Sequence, residues 1–104
     1  MKIKIHDHTW NVELVDPSDP YLENGACDGR CNYKERRVVV NKDQHPEMIK
    51  ETLLHELTHA YLGMQGRYRQ DKLTKEEVCE FIGWNAQSML DTANVILKEW
   101  KVIK

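Results

Sequence analysis

The sequence predicts an α+β fold: a small, mostly antiparallel sheet from residues 1 to 41, then two helices packed against it. Three observations carry this. Apolar residues alternate through the first third of the chain, the spacing turns helical after Pro46, and a second helical stripe opens on a capping signal at Thr74. A chain of 104 residues, 40% hydrophobic and 31% charged, is read as a single domain, 1–104, with one modest core.

The strands come first. Ile3 and Ile5 share one face, and Trp10, Val12 and Leu14 recur at alternate positions, which predicts one or two strands with Asp7-His8 as the turn. His6 and His8 would point to the same side of a strand. With no third ligand nearby in sequence, solvent-facing turn histidines are the better reading than a second metal site. Asp16-Pro-Ser-Asp-Pro20 breaks regular structure, and Tyr21 to Gly25 suits a short helical turn. After the turn-rich stretch Gly25 to Tyr33, Lys34 to Asn41 reads as a strand of a hairpin or strand pair. Cys27 and Cys31 lack the spacing of a zinc knuckle and are read as free thiols.

The first helix is expected from Pro46, which suits an opening turn, with Asp43 or His45 as cap and Gly63 as the stop. Met48, Ile49, Leu53, Leu54, Leu57, Ala60, Tyr61 and Leu62 spread apolar residues around most of its circumference, which predicts a buried helix. Met64 to Leu73 reads as a loop. Thr74 and Glu77 then form a capping-box pattern, and Val78, Phe81, Ile82, Asn85, Met89, Ala93, Ile96, Leu97 and Trp100 continue a helical stripe, in one helix or two. Cys79 is expected in the core.

Composition narrows the function. A net charge of −2 argues against nucleic-acid or anionic-membrane partners held by bulk electrostatics. No apolar run reaches the length of a membrane span, the N-terminus lacks a signal-peptide core, and three cysteines suit reduced thiols; together these give the expectation of a cytoplasmic protein.

The first helix carries His55-Glu56-Leu57-Thr58-His59. Histidines four apart lie one above the other on a helix, so both imidazoles can close on one Zn²⁺ ion. Glu56 sits beside that face, where a carboxylate can reach water at the metal without being a ligand, as a general base must. A catalytic zinc takes a third protein ligand. No histidine follows His59, so Glu76, Glu77 and Glu80 of the second helix are the candidates. Glu77 has a local task in the capping box. Glu76 and Glu80, at i and i+4, share a face, so one could bind zinc while the other orients an imidazole.

His55-Glu-Leu-Thr-His59 followed by Glu76-Glu-Val-Cys-Glu80 resembles the gluzincin zinc metallopeptidases, and the size and order are similar to minigluzincins and to the small, phage- or mobile-element-borne metallopeptidase cores of the ImmA/IrrE type. The resemblance covers about residues 33 to 90. It implies a zincin-like domain, zinc at His55, His59 and Glu76, and Glu80 where the family commonly has an orienting Asp. The longer side chain of Glu80 makes it the alternative ligand. The family's transition-state stabiliser has no assignable counterpart; Tyr61, Arg67 and Tyr68 lie near enough in sequence to be considered. The implied function is hydrolysis of peptide bonds in a peptide or protein substrate, with Glu56 as base. The alternatives are a metal-stabilised, non-catalytic binding module and a latent peptidase that needs a partner.

Overall fold

In a computed structural model, residues 1–23, 25–66 and 72–104 are described. They form a four-stranded mixed sheet followed by two helices, an α+β arrangement. Strands β1 (Lys2–Ile5) and β2 (His8–Val15) make an antiparallel hairpin, as do β3 (Gly29–Asn32) and β4 (Arg37–Asn41). The hairpins join through a parallel pairing of β2 with β4, running from Asn11 opposite Arg37 to Val15 opposite Asn41, so the strand order is β1-β2-β4-β3. That central parallel pair is what the alternation pattern did not contain: strand polarity depends on how the chain returns between strands.

The first turn lies at His6-Asp7, one residue earlier than expected, with φ of 48° and 67°. Positive φ at both central residues gives the turn the twist of its strands. It also takes His6 off the strand that holds His8, so the two histidines share no strand face. Instead His6 Nε2 lies 3.1 Å from Asn85 Oδ1, tying the turn to the second helix. Between the hairpins, Asp19 accepts from the Tyr21 N–H and caps a short 3-10 turn, Pro20–Leu22. Leu22 is fully buried there, and the turn covers the second face of β4, which explains why Val38, Val39 and Val40 are all buried.

Helix α1 (Pro46–Met64) starts behind His45, which makes no side-chain capping bond. Its Ile49, Leu53, Leu57 and Ala60 pack on Ile3, Trp10, Val12, Val38 and Val40 of the sheet. The helix is covered on its sheet and α2 sides only: Met48, His55 and His59 are exposed, so the expectation of a helix buried all round is corrected. Apolar content cannot show which side stays uncovered. Helix α2 (Lys75–Glu99) is one continuous helix. The capping box is made: Glu77 N–H donates to Thr74 Oγ1, and Thr74 N–H donates to Glu77 Oε1, both at 3.1 Å. Phe81, Met89, Ala93, Ile96 and Leu97 join the core, whereas Val78, Ile82 and Cys79 are exposed, because the first turns of α2 run beyond the surface that its later turns pack against.

Candidate functional site

The site is built where α1 passes beside β3, the terminal strand. Both imidazoles emerge on the open side of α1, with ring centroids 5.0 Å apart and planes at 69°. The His55 side chain is 67% exposed. Glu56, one residue round the helix, turns inward and is buried, its Oε1 4.0 Å from His55 Nε2. What buries it is Gly29. A Cβ at that position would stand 2.6 Å from Thr52 Cγ2 and 3.1 Å from Glu56 Cγ, so only glycine lets the strand come this close to the helix.

Three depressions run in a row along this seam. One, of about 350 Å³, is lined by Cys27, Gly29, Thr52, His55 and Glu56 among others. The next, of about 370 Å³, is lined by Gly29, Arg30, Cys31, Tyr33, Glu56 and His59. The last, of about 550 Å³, shares Cys31 and Tyr33 with it and ends at Lys34, Arg36, Gly63 and Met64. Glu56 and Gly29 therefore sit at the joint of the first two, and Cys31 and Tyr33 at the joint of the second and third.

Burial sets the protonation of this seam. Desolvation pushes the Glu56 carboxyl above its ordinary value, partly opposed by His55. Desolvation and then the neighbouring His55 hold His59 below its ordinary value, which favours the neutral, lone-pair-bearing imidazole. The Cys31 thiol is pushed up to about 12 by burial and by Glu56, and the Tyr33 phenol to about 12 by burial, Cys31 and Glu56. At neutral pH both keep their protons and stay uncharged.

The carboxylates expected to complete the site are elsewhere. Glu76 and Glu80 are exposed on the first two turns of α2. Helix α2 meets α1 further along, where Tyr61 Oη lies 2.9 Å from Ser88 Oγ and 3.1 Å from Thr92 Oγ1, and Thr58 lies against Met89. At 1.5 Å per residue that contact is roughly 12 Å along the axis from Glu80 and roughly 18 Å from Glu76. It also engages a side of α1 roughly a third of a turn from the histidines. Among the described residues, no three His, Cys, Asp or Glu side chains form a group able to hold a metal ion. His55 and His59 thus lie side by side, and among the described residues no third such side chain joins them.

Of the residues considered as transition-state stabilisers, Tyr61 is buried and bonded to α2, while Arg67 and Tyr68 lie outside the described residues. Sequence reasoning missed Gly29, Cys31, Tyr33 and Thr52. All but Thr52 come from the β3 hairpin, and only its docking on α1, far away in sequence, brings them to the histidines. Cys27 and Cys31, free thiols as expected, line the seam on either side of Gly29. No protein-family model, curated protein or solved structure matches the chain.

Proposed function

We propose that the protein is a zinc-dependent peptidase, its reaction centred on His55, Glu56 and His59. The observation that carries this reading is the combination at one point of a buried carboxyl with a raised proton affinity and two adjacent, outward imidazoles, opening on a groove beside a terminal strand. A stack of surface histidines alone would not require Glu56 to be buried.

His55 and His59 would hold the ion, with Glu76 or Glu80 as the proposed third ligand. Zinc, when bound, supplies Lewis acidity that makes water more acidic and polarises a carbonyl. Glu56 accepts the proton of the attacking water and delivers it to the leaving amine, a task suited to a carboxyl whose pKa has moved toward neutrality. Strand β3 offers its outer backbone groups to an extended peptide. The half-buried Cys31 and Tyr33 add no charge of their own to the groove at neutral pH.

One observation favours a second form of this reading, a peptidase that is latent until a partner or a rearrangement of α2 completes the ligand set: the third ligand is not assembled. A metal-stabilised module is less well supported, because the core closes on Trp10, Leu53, Leu57 and Ile96 without involving the histidines.

The test is elemental analysis of the purified chain beside His59→Ala and Glu56→Gln. About one zinc per chain is expected in wild type and in Glu56→Gln, with loss in His59→Ala. Peptide hydrolysis should fall by about 10²–10⁴ in Glu56→Gln. Failure of the wild type to retain supplied zinc would remove the reading, and full hydrolysis by Glu56→Gln would remove Glu56 from it.

A further inference from the structure

We infer that the 550 Å³ cavity at the β3–β4 turn is a binding site for a carboxylate on a peptide, and that it selects acidic substrates for the groove it adjoins. This deepens the peptidase reading and rests on it for the identity of the peptide as substrate.

The cavity has an apolar floor and a cationic rim. The Tyr33 ring lies directly on Gly63, where even a Cβ would overlap it, and stands edge-on to the buried Trp10, with centroids 6.5 Å apart at 90°. That ring is fixed from two sides. Met64 adds a pliable wall. The rim is a turn held by the Glu35 N–H donating to Asn32 Oδ1, and closed by Arg36 at φ 51°. Lys34 and Arg36 line the cavity; Glu35, between them, does not.

Neighbouring cations are already paired. Arg37 meets Glu13 at 3.1 Å, Lys42 is 3.6 Å from Asp16, and Arg30 is 4.0 Å from Glu23. Neither Lys34 nor Arg36 is ion-paired with a described residue. Two cations with no ion pair among the described residues, over an apolar floor, in a chain of net charge −2, complement a ligand with an apolar body and an anionic end. The position matches a substrate: Cys31 and Tyr33 line both this cavity and the depression holding Glu56 and His59. Lys34 lies five residues beyond Gly29, which packs against Glu56, so a strand laid along β3 at about 3.3 Å per residue would carry the carboxylate about five residues from the scissile bond.

The test measures binding and cleavage separately. Binding is followed by calorimetry on the full-length Glu56→Gln chain supplied with zinc, using hexapeptides of alanine with one central Glu or Gln, C-terminally amidated, and the Gln peptide again with a free C-terminus. The amidated Glu peptide or the free-acid Gln peptide should bind about tenfold tighter than the amidated Gln peptide, with the preference shrinking in high salt. Which of the two gains tells a side chain from a chain end. Lys34→Gln/Arg36→Gln should erase the preference, and Lys34→Glu/Arg36→Glu should turn it toward a Lys peptide. Equal binding of all three probes, or a preference that survives Lys34→Gln/Arg36→Gln, overturns the proposal. Wild-type cleavage is scored on the same probes. Acidic selectivity without cleavage keeps the cavity and removes the peptidase; cleavage without acidic selectivity does the reverse.

Discussion

Burying a carboxylate costs free energy, and among the described residues the nearest cationic candidate at Glu56, His55, stands 4.0 Å away and is charged only when protonated. The residue is therefore expected to serve function at the expense of stability. Its folded-state pKa is raised, so its contribution is most favourable below about pH 4.5, the ordinary value, and is lost as pH rises through the folded value. Metal-free Glu56→Gln should then unfold at a higher temperature than wild type at pH 8, with the gap closing toward pH 4; a thermal-melt series over pH would show it. Cys31 and Tyr33 act in a higher window. Both are raised to about 12, from 9.0 and 10.0, so the stability they contribute is complete below pH 9 and is lost as pH climbs toward 12. Cys31→Ala should lose less melting temperature than wild type between pH 9 and 11. At pH 8 the Cys31 thiol should alkylate well behind the exposed Cys79.

At the scale of elements, two glycines in helices make opposite demands. Sequence reading placed Gly63 at the end of α1, as a stop. The helix instead runs on to Met64, and Gly63 lies inside it because the Tyr33 ring occupies the space of its missing side chain. Gly83 lies inside α2 with no atom within 4 Å of a Cβ there. Alanine has the better helix propensity by about 1 kcal/mol, so Gly83→Ala should stabilise by about 0.5–1 kcal/mol. Gly63→Ala should instead destabilise by about 1–3 kcal/mol, through displacement of the β3–β4 turn. Urea denaturation of the two variants gives the comparison directly. The same pairing of α1 with the hairpin explains why the groove lies where it does: at Gly29 and at Gly63 the missing side chain lets helix and hairpin come close.

At the scale of the molecule, the core and the site are separable. Trp10, Val12, Val38, Leu53, Leu57 and Ile96 are fully buried between the sheet and the helices, while the imidazoles stand outside. Removing metal with a chelator should therefore abolish hydrolysis and leave the far-ultraviolet circular dichroism unchanged, unlike a fold that depends on its ion. No helix among the described residues is long and apolar enough to cross a membrane.

What the sequence by itself determined is what adjacent residues decide: the alternation that makes Ile3, Ile5, Trp10 and Val12 the inner face of a hairpin, the reciprocal capping of Thr74 and Glu77, and the i, i+4 stacking of His55 on His59. These interactions act within a few residues, so their geometry follows from helix and strand periods. Only the tertiary structure decided that β2 and β4 pair in parallel, that Gly29 buries Glu56, that Tyr33 rests on Gly63, and that α2 meets α1 at Ser88 and Thr92 and away from Glu76 and Glu80. Each of these joins residues about 20 or more apart in sequence, where no local period links them. Which side chains then meet is set by the packing of whole elements.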